Sequence, residues 1–427
     1  MNTLIQGYRP RLIDEMITKY LKIFGAISIE GPKWCGKTWT GLNHANSVTY
    51  LTEFRSRNLA EVDPRYVFSK DRPQLLDEWQ IVPELWDAVR HECDRDQERG
   101  KFILTGSTTL TKSSDQNRIF HSGAGRIASI RMWPMSLWES GDSTGEASLQ
   151  GMLEGHIKEG FTGDIELIDI ARLLVRGGWP ANIGASNENL GIIPKEYIET
   201  IINKDMHDNY DRMRNPRKMR MLLRALARHE SSPVGNQTLL KDIEEEESSE
   251  ERIESRATIA TYASILEKLY ITADQEAFSL NYRSSARIGK SAKRHLVDPS
   301  LSCVCLGLTP EKLMDDHKTF GFMFEALAER DLRIYAGHHG GHLYHFRDNL
   351  SGDEVDAIIE FQDGSYAAFE IKLSERGIQD ALASLKKFYG YVRKKPAFMC
   401  VIVGHLSAVM RDPDTGIFVV PLTTMRP

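Results

Sequence analysis

AISIEGPKWCGKT, residues Ala26–Thr38, runs an apolar strand into a glycine-bounded loop that ends on Gly-Lys-Thr. The apolar stretch Ala26–Glu30 reads as a buried strand of a parallel sheet, and Lys37–His44 reads as a helix. Gly-x4-Gly-Lys-Thr placed between a strand and a helix is the phosphate-loop arrangement. Gly31 and Gly36 allow backbone angles and close approach that a side chain would block. Successive amides can then surround phosphates, with the helix N-terminus adding positive potential. Lys37 is placed to reach the β- and γ-phosphates of a nucleoside triphosphate, and the Thr38 hydroxyl to ligate Mg²⁺. The nucleotide-binding set is therefore Gly31, Pro32, Lys33, Trp34, Cys35, Gly36, Lys37 and Thr38, with the adjoining Trp39. No Asn-Lys-x-Asp guanine-recognition motif occurs, which favours ATP.

Outward from the loop, Gln74-Leu75-Leu76-Asp77-Glu78 puts two carboxylates at the carboxyl end of a second apolar strand. Asp77 is expected to hold Mg²⁺ and Glu78 to act as general base toward water. The strand Phe102–Thr105 runs into Gly106-Ser107, and Thr105 or Ser107 is the candidate γ-phosphate sensor. Arg126, in Gly123-Ala124-Gly125-Arg126, is expected to complement phosphate charge within the chain or across a subunit interface, with Arg118 and Arg131 as competitors. Strands are also expected over Val48–Leu51 and Ile127–Met132, and a helix over Ile81–Glu92. Strands alternating with helices in this way belong to a parallel α/β sheet.

At 427 residues the chain exceeds one ordinary core. Hydrophobic residues at 41% and charged residues at 27% fit a globular protein. No apolar run reaches the roughly eighteen residues that a membrane span needs. The five cysteines (35, 93, 303, 305 and 400) lack zinc-ligand spacing and read as free thiols of a reducing cytoplasm. A net charge of −6 argues against a protein that simply coats DNA, although local basic patches remain compatible with it.

Residues 140–165 are rich in Gly, Ser and Thr and read as a boundary, followed by helical periodicity to about Arg228 that Gly177-Gly178-Trp179-Pro180 interrupts. Helices over Met219–Ala227, Gln237–Ile243 and Arg256–Leu269, with strands over Ala277–Asn281 and His295–Val297, outline a winged-helix module. The acidic run Glu244–Glu247, Glu250 and Glu251 reads as a solvated loop. Two basic groups offer phosphate contacts, Arg212, Arg214, Arg217, Lys218 and Arg220 in one, Arg283, Arg287, Lys290, Lys293 and Arg294 on the wing.

From Gly321 a second α/β core begins: a helix over Phe324–Asp331, strands over His342–Phe346, Glu354–Phe361, Tyr366–Ile371 and Phe398–Val403, and a helix over Gly377–Val392. Glu370 and Lys372 share one face of their strand because side chains alternate. Pairing through an Asp363-Gly364 turn brings Asp356 toward that face. Such a set can hold a second Mg²⁺ through Asp356 and Glu370, with Lys372 at the reacting phosphate and Glu325 as a further ligand or as the group that orients Lys372.

Taken in order, Tyr8-Arg9-Pro10, Gly31–Thr38, Leu75–Gln80, Phe102–Ser107, Gly123–Arg126, Gly177–Pro180, Arg294–Pro299, Gly321–Glu325, Glu354–Asp356 and Glu370–Lys372 resemble the prokaryotic AAA-type ATPases with a C-terminal domain of unknown function. The resemblance implies an α/β multidomain chain: an AAA-like P-loop ATPase core over 1–140, a linker and helical lid over 141–215, a winged-helix-like module over 216–300, and a restriction-endonuclease-like PD-(D/E)XK domain over 301–427. Glu-Val-Asp stands here where that nuclease pattern has Pro-Asp. The expected function is an ATP- and Mg²⁺-dependent switch, with DNA and a second copy of the ATPase domain as partners and no membrane. The alternatives are an ATP-gated nuclease and a non-hydrolysing regulator that uses ATP to order a protein-interaction surface.

Overall fold

The computed structural model describes residues 6–96, 98–107, 123–205, 215–246, 253, 255–279, 291–348 and 352–427. The chain divides into two compact units, one of residues 1–134 with Lys268–Ile271, the other of residues 135–267 and 272–427.

In the first unit, β1 (Ala26–Glu30), β2 (Ser47–Tyr50), β3 (Gln74–Asp77), β4 (Phe102–Gly106) and β5 (Ile127–Arg131) form a parallel sheet in the order β2-β3-β4-β1-β5. The expected strands shift by no more than a residue at either end. Ile27, Ile29, Leu75 and Ile103 pack on one face with Ile17 of α1 (Asp14–Leu21). Leu76, Phe102 and Leu104 pack on the other with Leu85 and Val89. The latter two belong to α4 (Glu84–Asp96), which follows α2 (Lys37–His44) and α3 (Phe54–Val62) in the chain. Burial on both faces is why these strands read as unbroken apolar runs. The helix expected from Ile81 starts at Glu84, because Pro83 drives Val82 out of the helical region and leaves only a 3-10 turn over Trp79–Ile81.

The second unit contains β6 (Gly160–Phe161), α5 (Leu167–Arg176), α6 (Pro216–Arg228), β7 (Ser232–Pro233), α7 (Asn236–Glu246), α8 (Arg256–Lys268), β8 (Lys293–Arg294) and α9 (Pro299–Leu306). The Asn215 side chain accepts from the amides of Arg217 and Lys218, and Pro216 sits in the first turn, so α6 begins ahead of the expected Met219. The expected wing differs. β8 pairs with β7, antiparallel bridges join Thr272 to Leu296 and Gln275 to Lys293, and Ala277 bridges His345, so the pairing lies ahead of the expected Ala277 start.

The long α10 (His317–His338) then leads into β9 (His342–Arg347), β10 (Glu354–Glu360), β11 (Tyr366–Ser374), α11 (Ile378–Tyr391), β12 (Phe398–His405), β13 (Ala408–Arg411) and β14 (Phe418–Pro421). Their sheet runs β9-β10-β11-β12-β14-β13-β6, with β11, β12 and β14 mutually parallel. Leu385 and Phe388 of α11 pack on Tyr366, Ala368, Val401 and Val403.

A buried polar network ties distant parts of this unit together. Asp298 accepts from the Gly178 amide (2.9 Å) and from Arg330 (2.9 Å), and Arg330 also holds Asp331 (2.7 Å), which accepts from the Leu137 amide (2.9 Å). The Trp179 indole donates to Ser300 (3.0 Å). A Cβ on Gly178 would run into the Met135 carbonyl oxygen. The Gly177–Pro180 and Arg294–Pro299 stretches are thus structural joints. Among the described residues no helix is long and apolar enough to cross a membrane.

Candidate functional site

The phosphate loop lies at the carboxyl end of β1, an interior strand flanked by β4 and β5. Gly36 has a left-handed φ of 103° at the start of α2, where a side chain would be strained. Gly31 is required for a different reason than close approach of a ligand: its Cβ would strike the Met132 carbonyl oxygen. The Lys37 ammonium donates to the carbonyls of Gly31 (3.0 Å) and Pro32 (2.7 Å). The Thr38 hydroxyl donates to Asp77 Oδ1 at 2.8 Å, joining the two Mg²⁺ candidates across strands. A hydroxyl and a carboxylate at one point are the hard oxygen donors that suit Mg²⁺, so these residues fit that ion.

The remaining loop residues divide by exposure. Pro32 and Cys35 are buried, Lys33 is half-buried, and Trp34 and Trp39 stand exposed. Cys35 packs its thiol in the core, so its contribution is its backbone.

Thr105 is fully buried and its hydroxyl donates to Asp77 Oδ1 at 2.6 Å. That places it as a partner that orients Asp77. Glu78 adopts φ 56°, ψ 43°, uncommon for a residue with a side chain. Its carboxylate accepts from Gln80, and from the Ser107 hydroxyl at 3.3 Å. Gln80 was absent from the expected set although it lies two residues beyond Glu78.

Arg126 does not complement phosphate charge within its own subunit. It precedes β5, and its carbonyl accepts from the amide of Ala26, the first residue of β1. It therefore lies at the amino end of the sheet, a strand length of roughly 13 Å from the loop. Its guanidinium is paired with Asp94 at 2.8 Å. Arg131, at the carboxyl end beside Glu30, stacks on Tyr270 (3.9 Å) and Trp133 (4.6 Å). Arg118 lies outside the described residues.

Sequence reasoning also missed Arg11, which is 7% exposed and donates to the carbonyls of Cys35 in the loop (2.7 Å) and Trp133 (2.7 Å). It braces the loop from outside, and its only sequence signal is its place just after Tyr8-Arg9-Pro10.

In the second unit, Asp356, Glu370 and Lys372 come together. The Ala357–Phe369 register puts Asp356 opposite Glu370 one step along. Asp356 Oδ2 accepts from the Ile371 amide (2.8 Å) and Lys372 Nζ (3.2 Å), and Lys372 also donates to Glu370 (2.7 Å). Ser384 of α11 donates to the other Glu370 oxygen at 2.8 Å. Burial alone would raise the Asp356 carboxyl, but Lys372 and Lys293 hold it below its ordinary value. Burial, followed by the Asp356 charge, pushes Glu370 up to about 8.

Glu325 departs from its expected role. It binds Lys293 at 2.5 Å, and Lys293 also reaches Glu329 (2.8 Å) and the Asp356 carbonyl (3.0 Å). Lys293 is 5% exposed, so it is a buried cation and does not decorate a wing. Arg294 is likewise committed, to Asp274 and the Val234 carbonyl. Arg220 forms a two-pronged pair with Glu199 (2.6 and 2.7 Å). Arg212, Arg214, Arg283, Arg287, Lys290, Glu247, Glu250 and Glu251 lie outside the described residues.

The second Mg²⁺ fits less well than the first. Lys372 Nζ lies within hydrogen-bonding distance of both Asp356 and Glu370, and among the described residues no group of three or more His, Cys, Asp or Glu side chains is arranged to hold a metal.

Residues 24–140 match the family described as an AAA domain. Residues 167–312 match the domain of unknown function DUF8612, and 320–425 match the domain of unknown function DUF4143. Among curated proteins none matches. Solved structures similar to the chain include the Walker-type ATPase PABY2304 of Pyrococcus abyssi, 14% identical over 72% of this chain and 96% of that one at a TM-score of 0.38. Another is the Aeropyrum pernix ORC1 protein in complex with DNA, 13% identical over 71% and 95% at 0.28. A third is the Aeropyrum pernix ORC2 protein in ADPNP–ADP complexes, 12% identical over 74% and 92% at 0.31. Scores this low say nothing about partners.

Outside the AAA domain, Glu230 and His295 form a buried pair at 2.9 Å, with the Leu296 amide (3.3 Å) and Ser302 also donating to Glu230. Burial pushes Glu230 up to about 8, and burial together with Arg333 and Lys293 holds His295 well below its usual value. A carboxyl raised on folding contributes stability that is complete below its unfolded value near 4.5 and is lost as pH rises through about 8. His295, depressed on folding, acts in the opposite sense: its contribution is complete above its unfolded value of 6.5 and is lost as pH falls below that. Glu230→Gln is therefore expected to flatten the fall in melting temperature between pH 5 and 8. Parallel melting curves of the two proteins across that range would contradict it.

Proposed function

We propose that this chain is a Mg²⁺-dependent ATPase whose nucleotide state drives a switch coupled to a DNA-interacting C-terminal unit. The observation that carries the reading is the meeting of Thr38 and Thr105 on one oxygen of Asp77, beside Lys37 and the start of α2. In this reading the loop amides and Lys37 bind the phosphates, while Thr38 and Asp77 hold Mg²⁺, which supplies charge neutralisation at the phosphates. Glu78, fixed by Gln80 and Ser107, takes the proton of the attacking water. Lys37→Ala is expected to weaken binding of a fluorescent ATP analogue at least tenfold. Equal affinity of variant and parent would remove the loop from the site. Tight binding without measurable turnover would instead favour the regulator that only binds nucleotide.

Arg126 reaches a nucleotide in this reading only across a subunit interface, since its own lies at the far end of the sheet. Light scattering with and without ATP tests that self-association.

A second reading, a nuclease-like C-terminal site, draws on the convergence of Asp356, Glu370 and Lys372. It predicts cleavage of plasmid or single-stranded DNA with Mg²⁺ or Mn²⁺ that Lys372→Ala abolishes. Equal cleavage by both proteins, or by neither, would exclude it.

A further inference from the structure

From Ala381 to Arg411 the sequence contains no aspartate or glutamate, yet it carries Lys386, Lys387, Arg393, Lys394, Lys395 and Arg411 in a chain of net charge −6. The structure concentrates five of these at the end of α11 and in the following turn. Lys386, Lys387, Arg393, Lys394 and Lys395 are all exposed.

Two tyrosines stand among them, Tyr389 at 43% and Tyr391 at 44% exposure. Lys395 lies over the Tyr389 ring at 4.4 Å. Tyr391 is held edge-on to the buried Phe388 at 5.8 Å and tilted against Phe346 at 6.3 Å. Both rings are thus supported from behind while keeping exposed area. Lys386 and Tyr389 also line a groove of about 640 Å³ to which Pro396, Met399 and Phe418 contribute. The acids that approach are few: Asp353 pairs with Lys387 at 2.6 Å, Asp363 lies near Lys394, and Glu154 and Asp414 lie on the groove. Lys386 and Arg393 are left to act on an external anion, while Lys394 and Lys395 donate to the backbone carbonyls of Gly364 and Tyr389 and keep their charge for one.

Aromatic rings interleaved with cations at this density fit a flexible polyanion that also has flat faces to stack. We propose that Lys386–Pro396 is a binding surface for single-stranded DNA, with phosphates on Lys386, Arg393, Lys394 and Lys395 and bases on Tyr389 and Tyr391. The inference rests on the DNA-interacting reading above and names its surface. Position supports it. Ser384, which holds Glu370, precedes Lys387 by one helical turn on α11, so a strand laid on this surface passes beside the Asp356–Glu370–Lys372 cluster.

The test is fluorescence anisotropy of a labelled oligothymidylate, its duplex with oligodeoxyadenylate, and anionic vesicles, using the full chain. The triple variant Lys386→Glu, Arg393→Glu, Lys394→Glu is expected to weaken oligothymidylate binding at least about tenfold and to make the salt dependence shallower by about two units. Tyr389→Ala with Tyr391→Ala is expected to weaken it about tenfold or more with the salt slope kept. Lys22→Glu, an exposed reversal in the other unit, is expected to leave binding unchanged. If the parent binds the oligomer and the patch variants bind it equally, this surface is wrong while the DNA reading stands. If the parent binds no DNA, both fall. Equal affinity for duplex with no effect of the tyrosine changes, or a preference for vesicles, overturns the single-strand assignment. Unchanged melting of the variants shows that the substituted surface is not needed for the fold.

Discussion

Glu78→Gln is expected to lower ATP turnover by about 10²–10⁴-fold while leaving ATP affinity close to that of the parent. Glu78 follows β3 by one residue, and its left-handed backbone turns the side chain away from the strand direction that Asp77 keeps. Asp77 is committed to Thr38 and Thr105, whereas Glu78 is held by Gln80 and Ser107. Glutamine keeps the shape and much of that hydrogen bonding but cannot take a proton from water. A steady-state assay paired with a binding titration separates the two effects. Loss of affinity in step with turnover would mean that Glu78 holds the nucleotide, and retention of turnover would remove it as the base.

Lys293→Ala is expected to destabilise the second unit by about 3–5 kcal/mol, the cost of leaving buried charges without their partner. Lys293 is 5% exposed and its ammonium is shared by Glu325, Glu329 and the Asp356 carbonyl. Burial already pushes Glu329 up to about 8, so removal of the lysine drives that carboxyl higher still. The loss is therefore expected to grow as pH rises, because a carboxyl raised on folding costs stability once the medium demands its ionised form. Lys293→Met combined with Glu325→Gln and Glu329→Gln is expected to recover part of it. Urea unfolding followed in the second unit measures the change, and a loss below about 1 kcal/mol would show that water reaches the carboxylates.

The phosphate loop was legible because its chemistry is local: one strand, one turn and one helix start carry it. Asp77 and Glu78 were legible because β3 is buried on both faces and the change from Leu75-Leu76 to two acids marks its end. For Arg126 the sequence held a signal against the within-chain alternative. A residue just before a strand of a parallel sheet lies at the amino end, opposite the loop that follows β1. Lys293 could not be read, since its burial depends on Glu325 and Glu329 of a helix some thirty residues further on. As a sequence, Lys290-Ser-Ala-Lys293-Arg294 resembles any exposed basic stretch. The Asp356, Glu370 and Lys372 cluster was legible through strand alternation, but the second lysine, Lys293, which reaches the Asp356 backbone carbonyl, was not. The Lys386–Lys395 patch was overlooked because it is split between the end of α11 and the turn that follows, and each part by itself reads as an ordinary exposed basic stretch.

The pairing of β6 with β13, and of Ala147–Ser148 with Met425–Arg426, joins chain segments made at opposite ends of synthesis of the second unit. Asp298, Arg330 and Asp331 fasten Gly178 and Leu137 in the same long-range manner. On a ribosome, the Gly178 and Leu137 amides must therefore wait for residues 120 and 194 positions later before they find these partners. Contacts of such sequence separation make folding slow and expose apolar surface in the interval. The first unit is made of residues 1–134 apart from Lys268–Ile271, so its sheet can condense early. The order of maturation would then be fixed: the nucleotide-binding half is formed first, while its companion half is still being made.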